Sequence, residues 1–267
     1  MKLPKLAIIG YGAIAQQLVQ QLQQTKQSYQ CAVLLRANSP RRAQVPDSVQ
    51  LLTSIDDLLA WQPELVVEAA GQQAVAAYLP SCLQAGHTVL ITSIGALADS
   101  ALHQQLLDDA RQGGGRIRLL SGAIGALDYL RAASRLPGTQ VHYESRKPLS
   151  AWQAELAQLG YDSNTLKKPL VLFSGSADQA AQRYPQNLNV AAALALAGVG
   201  MQHTQVQVIA DPSAQQNQHI LHISGPAGEL HAHISNTPSP DNPKTSLLVA
   251  YSLLDAVERH FEVIGFA

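Results

Sequence analysis

"LAIIGYGAIAQQL", residues 6–18, decides how the first half of the chain folds. An apolar run of strand character enters Gly10-x-Gly12-x-x-Ala15, and a helix-like, glutamine-rich stretch follows. In such a turn the first glycine permits a tight bend after the strand. The second lets a pyrophosphate approach the backbone, and the small third residue lets the helix pack closely on the sheet. Phosphates then lie at the helix N-terminus, where free N–H groups and the dipole favour negative charge. The pattern alone is a weak signal. Here it follows a strand, opens a helix and begins a βαβ series, which is the context it requires. Gly10, Gly12, Ala13 and Ile14 are therefore expected to hold a dinucleotide, whereas a glycine turn that only packs is the bland alternative.

The flanking sequence keeps the same rhythm. Strand-like runs "LAIIG" (6–10), "CAVLLR" (31–36), "ELVVEAA" (64–70), "TVLITS" (88–93) and "RIRLL" (116–120) alternate with helical stretches at 12–24, 72–85 and 99–112. Short apolar strands alternating with helices predict a parallel sheet covered on both faces. Right-handed crossovers then make it a doubly wound, Rossmann-type α/β domain. Ligands of such sheets bind at the carboxyl ends of strands. Ala70 and Gly71 of "EAAGQQAV" and Ser93, Ile94 and Gly95 of "TSIGAL" are thus candidates to line the nicotinamide half. Tight strand-to-helix turns need small residues in any case. A site for NAD usually has an acid at the end of the second strand, to bind the ribose 2′-hydroxyl. Here Arg36 stands there, and with Asn38, Ser39, Arg41 and Arg42 it can receive a 2′-phosphate. Arg36 can equally be a solvent-exposed side chain or stack on adenine, so the expected cofactor is NAD or NADP.

Beyond residue 121 the texture changes. "TQVHYESR" (139–146), "LVLFSG" (170–175), "TQVQVIAD" (204–211), "HILHISG" (219–225) and "ELHAHIS" (229–235) are longer, and several alternate apolar with polar residues. That suits a mostly antiparallel sheet with one face covered. "GPAG" (225–228) reads as a hairpin turn, and helices near 175–184 and 187–198 would cover one face. Leu247, Leu248, Tyr251, Leu254 and Val257 form one stripe of a final helix. The expected organisation is a dinucleotide-binding domain over 1–121, an α+β catalytic and dimerisation domain over 122–242, and a helix over 243–267 packing back on the first. The substrate is expected in a cleft between the domains.

The totals exclude several classes. The chain has 267 residues, 46 % of them hydrophobic and only 14 % charged, against roughly 25 % charged in an average globular protein. Glutamine, as in "QQLVQQLQQTKQ" (16–27), supplies much of the polar surface instead. The net charge of −1 and the lack of any Lys/Arg block give no footprint for nucleic acid. "VAAALALAGVG" (190–200) is too short to span a bilayer. The N-terminal apolar run enters a glycine turn rather than a cleavage site. Cys31 and Cys82 make no disulfide framework and read as buried thiols. A cytoplasmic protein with no membrane partner is expected.

Four segments of the second half stand out: "SGAIGALD" (121–128), "PQNLNVAAALALAG" (185–198), "QNQHILHISG" (216–225) and "DNPKTS" (241–246). With "IGYGAIA" and "EAAGQQAV" they closely resemble the L-aspartate dehydrogenase family, in the same order from residue 6 to about 250. The resemblance implies NAD(P)-dependent oxidative deamination of L-aspartate, with hydride passing from Cα to the nicotinamide. The product, iminoaspartate, would enter NAD biosynthesis or hydrolyse to oxaloacetate and ammonia. It further implies His219 as the catalytic acid/base, and Ala123 and Asn189 as cofactor contacts. Arg36 departs from family members that carry an acid there, so cofactor preference does not transfer. A homodimer follows from the same analogy and from the open face of the second sheet.

The residues themselves fit this chemistry. Deamination needs a base for the amino group or the attacking water, and histidine titrates near neutrality. His219, His222, His231 and His233 cluster in sequence, and His219 opens a strand beside the polar "SAQQNQ". His231 and His233 are two apart and share a strand face, as solvent-facing residues commonly do. A metal site from the four histidines is not expected, because His219 and His222 point to opposite faces. A dicarboxylate also needs donors. The amides of Gly122, Ala123, Ile124 and Gly125 at an expected helix start are candidates, as are Lys244, Thr245 and Ser246 at another. Asn187 and Asn189 lie at a third, where one would cap the helix and the other reach a ligand.

Two rivals remain. One is another small-substrate NAD(P)-dependent reductase of the same fold. Sugar oxidoreductases of this layout carry Glu-Lys-Pro after the fifth strand, but here that stretch is "TSIGAL", and Arg146-Lys147-Pro148 lies in the second domain. The other is a non-catalytic dinucleotide sensor, which would have no need of His219.

Overall fold

The computed structural model describes residues 3–184, 189–240 and 245–265. These form two compact units, one of Met1–Gly122 with Val249–Ala267 and one of Ala123–Leu248.

The first unit is a six-stranded parallel sheet. Its strands are β1 (Lys5–Ile9), β2 (Gln30–Leu34), β3 (Gln50–Leu52), β4 (Leu65–Glu68), β5 (Thr88–Ile91) and β6 (Arg116–Leu119), in the order β3-β2-β1-β4-β5-β6. Helices α1 (Ala13–Leu22), α2 (Ile55–Trp61), α3 (Gln72–Gln84) and α4 (Ser100–Gly113) connect them. This is the doubly wound sheet that the alternation predicts. β3 and α2 were not foreseen. The strand has only three residues, too few for periodicity to register, and α2 is announced by a capping box at Ser54 and Asp57. Strand order reverses between β1 and β4, so the carboxyl ends of these two strands frame the crevice where such sheets take ligands.

The second unit contains α5 (Leu127–Ala133), β7 (Gln140–Pro148), α6 (Gln153–Gln158), β8 (Leu170–Ser176), α7 (Ala177–Arg183), α8 (Asn189–Ala197), β9 (Thr204–Asp211), β10 (Asn217–Gly225) and β11 (Gly228–Asn236). Its sheet runs β11-β10-β7-β9-β8 and is mixed. β10 is antiparallel to β11 and β7, β8 is antiparallel to β9, and β7 and β9 are parallel. One face carries a core in which Val141, Tyr143, Val206, Val208, Leu221 and Ile223 pack with Ala177, Ala180, Leu194 and Trp152. Gly225 and Gly228 close the expected hairpin around Pro226 and Ala227.

The last helix, α9, spans Leu248–Phe261. Leu253 and Val257 join Leu6, Leu18 and Leu65 in the first core. Thr245 and Ser246 are not at its first turn. Ser246 forms a β-bridge with Pro238, and Leu247 donates to the Thr237 carbonyl at 2.8 Å. These pairings hold the segment extended and delay the helix. No helix among the described residues is long and apolar enough to cross a membrane.

Candidate active site

The first unit builds a cradle mainly from backbone. Gly10 has φ +93°, and a Cβ there would lie 2.6 Å from the Ala70 Cβ and 2.9 Å from the Ala69 carbonyl oxygen. Only glycine fits, because the turns after β1 and β4 touch. Gly12 caps α1 with no side-chain hydrogen bond, so the first-turn amides have no side-chain cap. A cavity of about 570 Å³ lies against this turn. Gly10, Gly12, Arg36, Ser39, Arg41 and Ala70 are among its lining residues. Arg41 Nη1 donates to the Tyr11 carbonyl at 2.8 Å and would stand 3.7 Å from a Cβ on Gly12. A guanidinium is thus fixed beside the turn, and Arg36, which also lines the cavity, is exposed. The missing Cβ atoms, first-turn amides and two arginines fit a dinucleotide.

Sequence reasoning missed the residue that organises the neighbouring loops. Glu68, fully buried at the end of β4, accepts from the amides of Ala70 and Gly71, both at 2.8 Å, through Oε1. Its Oε1 also accepts from Ser93 Oγ at 3.0 Å, and Oε2 from the Ser93 amide at 3.0 Å. Gly71 and Ser93 therefore spend their donors on Glu68, and Ser93, Ile94 and Gly95 are not among the residues lining the cavity. An acid closing an otherwise apolar parallel strand was the available signal.

The second unit builds its cluster from side chains on the covered face of the sheet. Alternation along β7 turns Val141, Tyr143, Ser145 and Lys147 inward. Along β10 it turns in Asn217, His219, Leu221 and Ile223. Register pairs His219 with Ser145 and Leu221 with Tyr143. His219, only 5 % exposed, shares a 2.7 Å hydrogen bond between its Nδ1 and Tyr143 Oη. Ser145 also hydrogen-bonds Tyr143. Burial, and then the Lys147 charge, pull the His219 pKa down to about 4, so the imidazole is neutral at pH 7. Burial also lowers Lys147 to about 8, with Glu155 opposing the shift. The Tyr143 phenol is raised above its ordinary value by burial and stays protonated. Lys147 Nζ lies 5.3 Å from the Trp152 ring centroid.

Tyr143, Ser145 and Lys147 had not been singled out as site residues. Their signal was a lysine on the inward parity of "VHYESRK", two and four residues beyond an inward serine and tyrosine.

The remaining candidates divide. Asn236 at the end of β11 donates to the Ala123 carbonyl at 3.0 Å, and its register partner is Asn217, two residues before His219. Ala123 is thereby brought to the His219 end of the sheet. "GAIG" does not open a helix. Gly122 and Ala126 both have φ +65°, which interrupts any helical run, and α5 begins at Leu127. The Gly122 amide donates to Ser252 Oγ at 3.1 Å, and the Ile124 side chain is buried in the second core. Gly125 keeps an open Cβ position, with only Ile234 Cδ1 near at 3.9 Å. Asn189 is the first residue of α8 and is exposed. Asn187 and Lys244 lie outside the described residues.

His219 and His222 do face opposite sides, but His222 and His231 converge with Glu229 on the other face. His222 and His231 meet because they are register partners across the hairpin.

Comparison with known proteins agrees with this division of labour. Residues 10–120 match the family model "Homoserine dehydrogenase, NAD binding domain", and residues 128–260 match "Aspartate dehydrogenase, C-terminal". The chain is 49 % identical over 257 residues to L-aspartate dehydrogenase 2 of Bordetella pertussis, covering 96 % of each. It is 38 % identical over 266 residues to L-aspartate dehydrogenase of Pseudomonas aeruginosa, covering 97 % of this chain and 98 % of that one. The crystal structure of aspartate dehydrogenase from Thermotoga maritima superposes with a TM-score of 0.77 at 28 % identity, covering all of both chains. With near-full-length relatives above a third in identity and a matching C-terminal family model, the chain belongs to the aspartate dehydrogenase family.

Proposed function

We propose that this protein is an NAD(P)-dependent L-aspartate dehydrogenase with His219 as its acid/base. The observation that carries the residue assignment is a neutral, buried imidazole bonded to Tyr143 on the same sheet face as Lys147. Gly10, Gly12, Ala13, Ile14 and Ala70 would hold the dinucleotide, with Arg41 beside the phosphates and Arg36 toward the adenosine ribose. The family resemblance adds Ala123 and Asn189 as cofactor contacts. When bound, the dinucleotide supplies the acceptor for the hydride leaving Cα of the amino acid.

The chain's residues handle charge and protons. L-Aspartate brings two carboxylates, and Lys147 is the buried cation suited to one of them. The backbone at Ala123–Gly125 and the Thr245 and Ser246 segment are the candidates for the other. A carboxylate beside Lys147 screens its charge from His219 and adds negative potential, so substrate entry raises the basicity of the imidazole. His219 Nε2 is a base only in the tautomer that keeps its proton on Nδ1. Donation from that Nδ1–H to Tyr143 Oη, with the phenol O–H keeping its proton and donating a hydrogen bond to Ser145 Oγ, holds this tautomer. His219 then takes a proton from the substrate amine, and it can return one or activate water when the imine is hydrolysed.

A homodimer and a cytoplasmic location complete the reading. Support for the dimer comes from the second sheet, where the face away from the core helices is uncovered among the described residues.

The test is initial-rate reduction of NAD and of NADP in parallel with L-aspartate, L-glutamate and L-alanine. Aspartate-dependent reduction is expected, with Arg36 allowing turnover of NADP as well as NAD. Dinucleotide binding without reduction by any of the three amino acids overturns the assignment in favour of another reductase or a sensor.

A further inference from the structure

The face of the second sheet opposite His219 carries a second constellation. His142 on β7, His222 on β10 and His231 on β11 form a row across three adjacent strands, because His222 is the register partner of both others. The rings of His222 and His231 stack with centroids 4.0 Å apart and planes at 17°, and those of His142 and His222 lie 6.2 Å apart. Glu229 precedes His231 by two residues, shares its face, and brings a carboxylate oxygen to 3.7 Å from His231 Nε2. The ligating atoms of His222, Glu229 and His231 all lie within 4.8 Å of one another.

An independent observation points to a ligand. His222 Nε2 is sealed from solvent and has no hydrogen-bond partner among the described residues. A polar atom left so is destabilising, and a Lewis acid would satisfy it directly. Stacked surface imidazoles explain the ring spacing but leave the orphaned nitrogen unexplained.

We propose that His222, His231 and Glu229 form a binding site for a borderline divalent transition-metal ion of the Zn²⁺ or Ni²⁺ class. Two imidazoles and one carboxylate are a common three-residue set for such ions, with water or the neighbouring His142 in a fourth position. Magnesium and calcium favour all-oxygen sets and are disfavoured. A tetrahedral site with bonds near 2 Å spaces its donors by about 3.3 Å, so the cluster must tighten. In a single chain His231 and Glu229 can do so by rotation, since their side chains are 66 % and 68 % exposed. The site is separate from the proposed chemistry at His219, which lies on the opposite face of the same strand.

Equilibrium dialysis of the purified full chain against Zn²⁺, Ni²⁺ and Mg²⁺, with metal counted per chain, tests the proposal. One saturable equivalent of Zn²⁺ or Ni²⁺ is expected and none of Mg²⁺. His222→Ala should lower affinity roughly tenfold or more. His231→Gln, at an exposed position that cannot compromise the core, should do the same, whereas His203→Ala should leave binding intact. Absence of saturable binding overturns the site. So does binding that survives both His222→Ala and His231→Gln.

Discussion

The cradle in the first unit and the cluster in the second solve opposite construction problems. The cradle sits at strand ends and is made largely of main chain: a glycine with no room for a Cβ, amides at a helix start, and loops tied by one buried carboxylate. Each of its turns is contiguous in sequence, and packing brings the turns together. The cluster lies on the face of a sheet, and its parts come from two strands separated by about seventy residues, as in the Tyr143–His219 bond. Its chemistry depends on side-chain burial, which moves His219 and Lys147 away from their ordinary titration ranges. A backbone site tolerates changes of side chain and fails when a Cβ is added. A side-chain site fails one group at a time.

The sharpest test of that contrast is His219→Ala. Loss of a general acid/base should lower kcat about 10³-fold, while dinucleotide affinity, read by fluorescence titration, stays within about twofold. A parallel loss of dinucleotide binding would mean that the two sites are not separable.

Gly10→Ala should do the converse. Positive φ and a Cβ at 2.6 Å from Ala70 together cost about 3 kcal/mol. Urea unfolding should report that loss, and dinucleotide affinity should fall with it. An unchanged midpoint would mean that the turns after β1 and β4 can separate freely.

Acid pH isolates the buried imidazole. Folded His219 titrates near 4, against 6.5 for an unperturbed histidine. Between these values the unfolded chain binds a proton that the folded chain does not, so stability falls as pH drops from about 6.5 to about 4. The contribution approaches about 3 kcal/mol, and it should vanish in His219→Gln. NMR titration of the imidazole should give the depressed value directly, and Lys147→Met should raise it by removing a neighbouring positive charge.

The smallest effect is expected at Lys147. Lys147→Met should raise KM for L-aspartate about tenfold with kcat less affected, and Lys147→Arg should recover part of the loss. Inhibition by malonate should weaken as pH rises through about 8, where Lys147 loses its proton. A KM that does not respond to either variant would assign the substrate carboxylates to other donors.

Different physical signals explain what was legible in advance. The glycine turn, the parallel alternation and the hairpin at 225–228 are local, so pattern and spacing were enough. His219 drew attention through its strand-start position and through resemblance to a family. The helix expected at "GAIG" failed because positive φ at Gly122 and Ala126 leaves no mark in composition. The one expected near "NPKTS" failed at Thr245 and Ser246 because a β-bridge from Ser246 to Pro238, in the segment after β11, holds the chain extended.

By itself, the sequence determined the periodicities. It specified which runs become buried parallel strands and where glycine is obligatory. Tertiary structure alone decided which side chains meet. Strand register set Tyr143, Ser145 and Lys147 beside His219, and His222 against His231 and Glu229 on the other face. Register is a relation between segments far apart in the chain, and a slip of one residue would exchange the two faces.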